Sequence, residues 1–142
     1  MENDMNNLQV SMNHKRIAID NNIAIDFMEE FPNKLDEFFT LSGNNYVFDR
    51  ESTYLSEKAN IKIVISHKIE IYIIFKDYVY LDNTMLNLKI VRRFIKKYPI
   101  LSSSYELINP MKLEFKNSNI VWDYLSFTYD AKQAAIILLI TT

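Results

Sequence analysis

The stretch IKIVISHKIEIYIIF, from Ile61 to Phe75, decides the fold. Ile61, Ile63 and Ile65 alternate with Lys62, Val64 and Ser66. After a turn at His67–Lys68 the same period returns, with Ile69, Ile71, Ile73 and Phe75 alternating with Glu70, Tyr72, Ile74 and Lys76. Successive side chains of a strand point to opposite faces, so a period of two segregates the two sets. Branched and aromatic side chains also pack well on a pleated surface. The stretch therefore predicts a β-hairpin with one face in the core.

Toward the C-terminus, Tyr78–Leu81 extends this strand or adds another after a turn at Lys76–Asp77. A helix is expected over 84–98, opened by Asn83, stopped before Pro99 and covering the hairpin. Leu88, Ile90, Val91, Phe94, Ile95 and Tyr98 share one side of it, and Lys89, Arg92, Arg93, Lys96 and Lys97 share the other. Met111, Leu113 and Phe115 then alternate with Lys112, Glu114 and Lys116, and Asn117–Asn119 makes a turn. Ile120 to Tyr129 reads as a long strand carrying Trp122, whose indole N–H needs a polar partner if buried. Ala134 to Ile140 is apolar on both faces and reads as a buried central strand. A short buried helix is its rival, since alanine and leucine favour one. The strand is preferred because the run is short and ends in Ile-Thr-Thr.

Toward the N-terminus, Tyr46–Asp49 is an expected edge strand. Ile23, Phe27 and Phe31 recur every four residues, with Ala24 and Met28 beside them, which predicts a helix over 22–31 ended by Pro32. A second short helix follows, capped by Asn33, carrying Leu35, Phe38, Phe39 and Leu41, and terminated at Gly43. Residues 1–15 are Asn- and Met-rich and weakly patterned, and are expected to be mobile. Residues 16–142 are expected to form one domain. The resulting expectation is an α+β fold: a single mostly antiparallel sheet with helices packed on one face, in the order α-α-β-β-(β)-α-β-β-β.

Composition bounds the chemistry. With 49% hydrophobic residues in 142, the chain has enough apolar surface for a core. It has no cysteine, which excludes disulfides, thiolate metal sites and cysteine nucleophiles and fits a reducing compartment. No signal peptide is visible, and the longest apolar run falls far short of the roughly 20 residues that span a bilayer. A soluble, cytoplasmic protein is expected. Residues 1–57 carry 11 acidic and 4 basic side chains, a balance of −7, and residues 58–142 carry 7 and 12, a balance of +5. Such asymmetry marks either a charged partner or acidic and basic elements that face each other within the fold.

No catalytic, cofactor or metal site can be assembled. His14 and His67 are far apart and read as surface histidines, not ligands. The single glycine, Gly43, excludes glycine-rich phosphate loops, and Ser102–Ser104 has no nucleophile elbow around it. Glu29 with Glu30, or Asp36 with Glu37, could meet Asp49 and Glu51 in a cleft, but adjacent helical residues do not face each other.

What remains is a non-enzymatic protein-binding domain that neutralises or escorts a specific protein. Bacterial immunity proteins that inhibit toxins share this profile of small size, acidity and absence of motifs. The acidic set Asp26, Glu29, Glu30, Asp36 and Glu37 is then the expected partner surface, because a nucleic-acid-cleaving toxin presents a basic cleft. A secretion-type chaperone, which would be a homodimer, is the alternative. A nucleic-acid-binding regulator using Lys89, Arg92, Arg93, Lys96 and Lys97 is the other, against a pI of 5.7.

Overall fold

The computed structural model describes residues 8–19, 24–27, 38–78 and 85–142. In chain order the strands are β1 (Gln9–Val10), β2 (Arg16–Ala18), β3 (Ala24–Asp26), β4 (Thr40–Ser42), β5 (Asn45–Tyr54), β6 (Glu57–Ile65) and β7 (Ile69–Phe75). Helix α1 (Lys89–Lys97) follows, and then β8 (Tyr105–Asn109), β9 (Lys112–Phe115), β10 (Tyr124–Asp130) and β11 (Ala135–Thr141).

The hairpin expected over 61–75 is β6–β7, with Ile61 opposite Ile73, Ile63 opposite Ile71 and Ile65 opposite Ile69. It sits inside an eight-stranded antiparallel sheet of order β4-β5-β6-β7-β11-β10-β9-β8. Two four-stranded meanders are joined here. After β7 the chain crosses by way of α1 to the far edge, returns through β8, β9 and β10, and closes β11 onto β7 with Leu138 opposite Ile73. The run expected as a buried central strand is central, as β11, but only one of its faces is fully buried, since Ile137 and Leu139 on the other are half-buried.

The expected α+β layout is corrected. The chain is mostly β, with 52% strand against 14% helix, in one three-stranded and one eight-stranded sheet, and α1 is the one full α-helix among the described residues. The helix expected over 22–31 is overturned at its centre, because Ala24–Asp26 is β3 and pairs with β2, Ile25 opposite Ile17. Both isoleucines are buried, and each finds on the neighbouring strand the apolar contact that a lone helix face would have lacked. Residues 22–23 and 28–31 of that segment lie outside the described residues, as do 33–37 of the second expected helix. The end of that second segment is strand, β4. Gly43, with φ +61°, is not a helix terminator but the first residue of the two-residue β4–β5 turn, where a type II′ geometry demands glycine. The helix expected over 84–98 begins later, after a 3₁₀ turn at Met85–Asn87. Residues 79–84, with most of the expected Tyr78–Leu81 strand, are outside the described residues.

One face of the large sheet holds the core. Helix α1 buries Ile90, Val91 and Phe94 on it, and the Phe94 ring meets Phe127 at 5.2 Å and Phe115 at 5.4 Å between centroids. The small sheet, β1-β2-β3, adds Val10, Ile17 and Ile25 to the same core. Leu8 donates its backbone N–H to Thr53, and Val121 donates to Met12. The indole of Trp122 donates to the Ser11 carbonyl at 2.7 Å, which supplies the partner a buried indole needs. Residues 8–12 are therefore docked in this structure. The opposite face of the large sheet is covered by no described element.

Candidate functional site

Strand β8 forms one edge of the large sheet, and all five of its residues are exposed. Tyr105, Leu107 and Ile108 are 39%, 37% and 43% exposed, and Ile100, in the 3₁₀ turn just before, is 45% exposed. Isolated surface apolar residues are common, but here four lie on one strand and its lead-in. The Ser104 carbonyl accepts from Lys116 N–H at 2.6 Å, and pairing continues with Tyr105 opposite Phe115 and Glu106 opposite Glu114. Antiparallel ladders alternate, so Ser104 and Glu106 turn their backbone groups toward β9 while Tyr105 and Leu107 turn theirs outward. The strand's one charge, Glu106, is paired with Lys116 at 3.1 Å. Neither lysine nor proline lies within Tyr105–Asn109, and the one feature there that limits a further strand is the register shift between Leu107 and Asn109. The other edge, β4, is only three residues long, with Leu41 62% exposed.

The basic face of α1 is only partly available. Arg93 donates to the Leu55 carbonyl at 3.0 Å and pairs with Glu57 at 3.5 Å. Lys97 reaches Gln9 at 3.3 Å, and its ammonium lies over Tyr54 and Tyr98 at 5.4 Å and 5.8 Å from the ring centroids. Partial burial there lowers its pKa. Lys89, Arg92 and Lys96 stay exposed. The basic residues therefore share their work between the fold and the solvent, and the acidic partner Glu57 comes from the acidic half of the chain.

Of the acidic set, Asp26 is buried and holds His14 Nε2 at 2.6 Å, so β3 is tied to the loop before β2. Glu29, Glu30, Asp36 and Glu37 lie outside the described residues. His67 sits in the exposed β6–β7 turn, 3.5 Å from the Ser66 hydroxyl. In the serine run, Ser104 donates to the Ile100 carbonyl and accepts from Asn117, which fixes a loop. Among the described residues, no three His, Asp or Glu side chains are gathered where they could hold a metal ion. No described helix is long and apolar enough to cross a membrane.

A groove of about 520 Å³ runs past Glu51, Glu57, Lys58 and Tyr78. One of its carboxylates is engaged within the fold. Glu57 accepts from Tyr78 at 3.1 Å and meets Arg93, and burial with the nearby Glu57 charge pushes the Tyr78 hydroxyl up to about 12. Asp49 accepts from Asn60 at 2.7 Å. Comparison with protein-family models, curated proteins and solved structures finds no match for this chain.

The sequence reading passed over β8. Its trace was the alternation of Tyr105 and Leu107 with Glu106 just ahead of a turn at Asn109–Pro110.

Proposed function

We propose that this chain is a non-enzymatic protein-binding domain that neutralises or escorts a specific protein by accepting an extended segment of it along β8. The single observation that carries this reading is the β8 edge itself, which no described strand pairs on its outer side. Outward-facing backbone groups on Tyr105 and Leu107 coincide with an exposed apolar strand, which is what strand addition uses for affinity and for side-chain selection. Toxin neutralisation of the immunity type is the preferred form, on the grounds of size, acidity and lack of motifs. Escort of a secreted protein is the alternative, and that form requires a dimer in solution.

The test is affinity capture from the source cell with wild-type chain and with Leu107→Lys. A lysine on an edge opposes strand addition without touching the core, so this variant should melt within about 0.5 kcal/mol of wild type. Wild type should bring down one partner in stoichiometric amount and the variant should lose it. Equal recovery by both would remove the edge from the interface. Recovery of no protein by the folded wild-type chain would end the protein-binding reading. A captured partner that arrests growth on its own, and not in the presence of this chain, identifies the neutralising form.

A further inference from the structure

The face of the large sheet that no described element covers holds a concavity of about 460 Å³ over β6, β7, β11 and β10. Its floor is aliphatic, made of Ile74, Ile137 and Leu139, with Ile137 opposite Ile74 and Leu139 opposite Tyr72. Tyr72 and Tyr124 wall it. Ser126 belongs to the same face and lines the same space, yet it is only 2% exposed and no described residue hydrogen-bonds its hydroxyl. A buried hydroxyl left without a partner costs stability, and its presence in a concavity needs a reason.

Charge at the two ends differs. Lys62, on the β6 rim, makes no ion pair among the described residues. Lys112, at the other rim, is committed to Glu114 at 3.4 Å and lies over Tyr124. Glu114 is directly opposite Ser126 and accepts from the Tyr124 hydroxyl at 3.0 Å. A carboxylate beside Ser126 would meet Glu114, whereas Lys62 stands opposite Asp49, which accepts from Asn60 at 2.7 Å, and Lys62 makes no ion pair among the described residues. Lys62 and Ser126 stand three strand spacings apart, about 14 Å between backbones.

We propose that this concavity binds a small amphipathic carboxylic acid, its charged end at Lys62, its apolar body on Ile74, Ile137 and Leu139, and a neutral polar end at the Ser126 hydroxyl. An aromatic acid with a distal hydroxyl has this shape and polarity. The site lies on the sheet face and does not depend on the β8 edge.

The full chain is titrated by amide-resolved NMR with 4-hydroxycinnamate, octanoate and the methyl ester of 4-hydroxycinnamate. The acids should give saturable shifts at Tyr72, Ile74, Ser126 and Leu139. The ester, and Lys62→Gln with 4-hydroxycinnamate, should bind about tenfold more weakly, the size of one charge-assisted hydrogen bond. Ser126→Ala removes an unsatisfied buried hydroxyl, so its melting temperature should equal or exceed that of wild type while its affinity for 4-hydroxycinnamate falls several-fold. A hydroxyl with a purely structural role would move the two the other way. Absence of saturation by both acids at millimolar concentration overturns the proposal, as does equal binding of acid and ester. Protection of these same amides by a captured protein partner would assign the concavity to that interface and overturn it too.

Discussion

At the scale of single residues, the junction between the small sheet and the large one rests on two phenols. Tyr98 donates its hydroxyl to the Val10 carbonyl at 2.8 Å, so the hydroxyl of Tyr54, 3.1 Å away, must donate to Tyr98. Burial raises the pKa of both, most strongly for Tyr54, so each remains a neutral donor across the physiological range. Tyr98→Phe strands a buried carbonyl and a buried hydroxyl together. It should cost about 1–3 kcal/mol, and Tyr54→Phe about 0.5–1.5 kcal/mol, since only one bond is lost. Urea denaturation of both single variants and the double variant checks this. Once Tyr98 is gone the Tyr54 hydroxyl has no role, so the second substitution should add little, a coupling visible only in the complete cycle. Additive losses would show that the phenols act independently.

At the scale of elements, the β5–β6 turn carries an unusual choice. Leu55 and Ser56 both have positive φ, 55° and 67°, at the centre of a two-residue hairpin loop closed by Tyr54 and Glu57. That is the backbone of a type I′ turn, which ordinarily takes Asn-Gly, because other side chains clash there at a cost of roughly 1–2 kcal/mol per residue. Ser56→Gly relieves the clash but frees the unfolded chain, so a net gain of about 0.5–1 kcal/mol is expected, read as a rise of a few degrees in melting temperature. A lower melting temperature would mean that the serine side chain does something its backbone does not reveal. This turn also shows why parts of the fold were hidden. The β6–β7 hairpin was legible because alternation ran unbroken through fifteen residues, and β11 because both its faces were apolar. Leu55-Ser56 carries no turn chemistry, so β5 was read as a short strand around Tyr46–Asp49. The β2–β3 hairpin had a trace, Ile-Ala-Ile-Asp at 17–20 and again at 23–26 across Asn21-Asn22, but Ile23 and Phe27 also fit a four-residue spacing. Two periods matched one stretch, and only tertiary pairing decided between them. The candidate site was less legible still. The basic face of α1 follows from spacing, but Glu57 and Gln9, which engage two of its five cations, come from other strands.

At the scale of the whole molecule, tyrosines link the fold to alkaline pH. Tyr54 and Tyr98 sit between β5, α1 and β1, and Tyr78 lies beside Glu57; burial raises all three, Tyr78 to about 12. A raised phenol binds its proton more tightly folded than unfolded. Its contribution is therefore complete below the unfolded value near 10 and is lost as pH climbs through the folded one. Lys97 acts in the opposite sense, because its lowered pKa means the unfolded chain holds the extra proton and stability gains with pH. One half-exposed lysine opposes these three tyrosines and Tyr72, which burial also raises, so the phenols win. Unfolding free energy should be nearly flat from pH 7 to about 9.5 and then fall. The buried Tyr54–Tyr98 pair should contribute about 1–2 kcal/mol per pH unit, with less from the partly exposed Tyr78. Urea denaturation at a series of pH values measures the slope, and absorbance at 295 nm counts phenolates directly. The buried Tyr54 and Tyr98 should ionise only as the chain unfolds. Tyr78→Phe should make the loss shallower above pH 10 and leave the neutral range almost unchanged. Reversible ionisation of Tyr54 and Tyr98 in the folded chain, with no loss of stability, would show that water reaches the pair and that the two sheets are not sealed against each other.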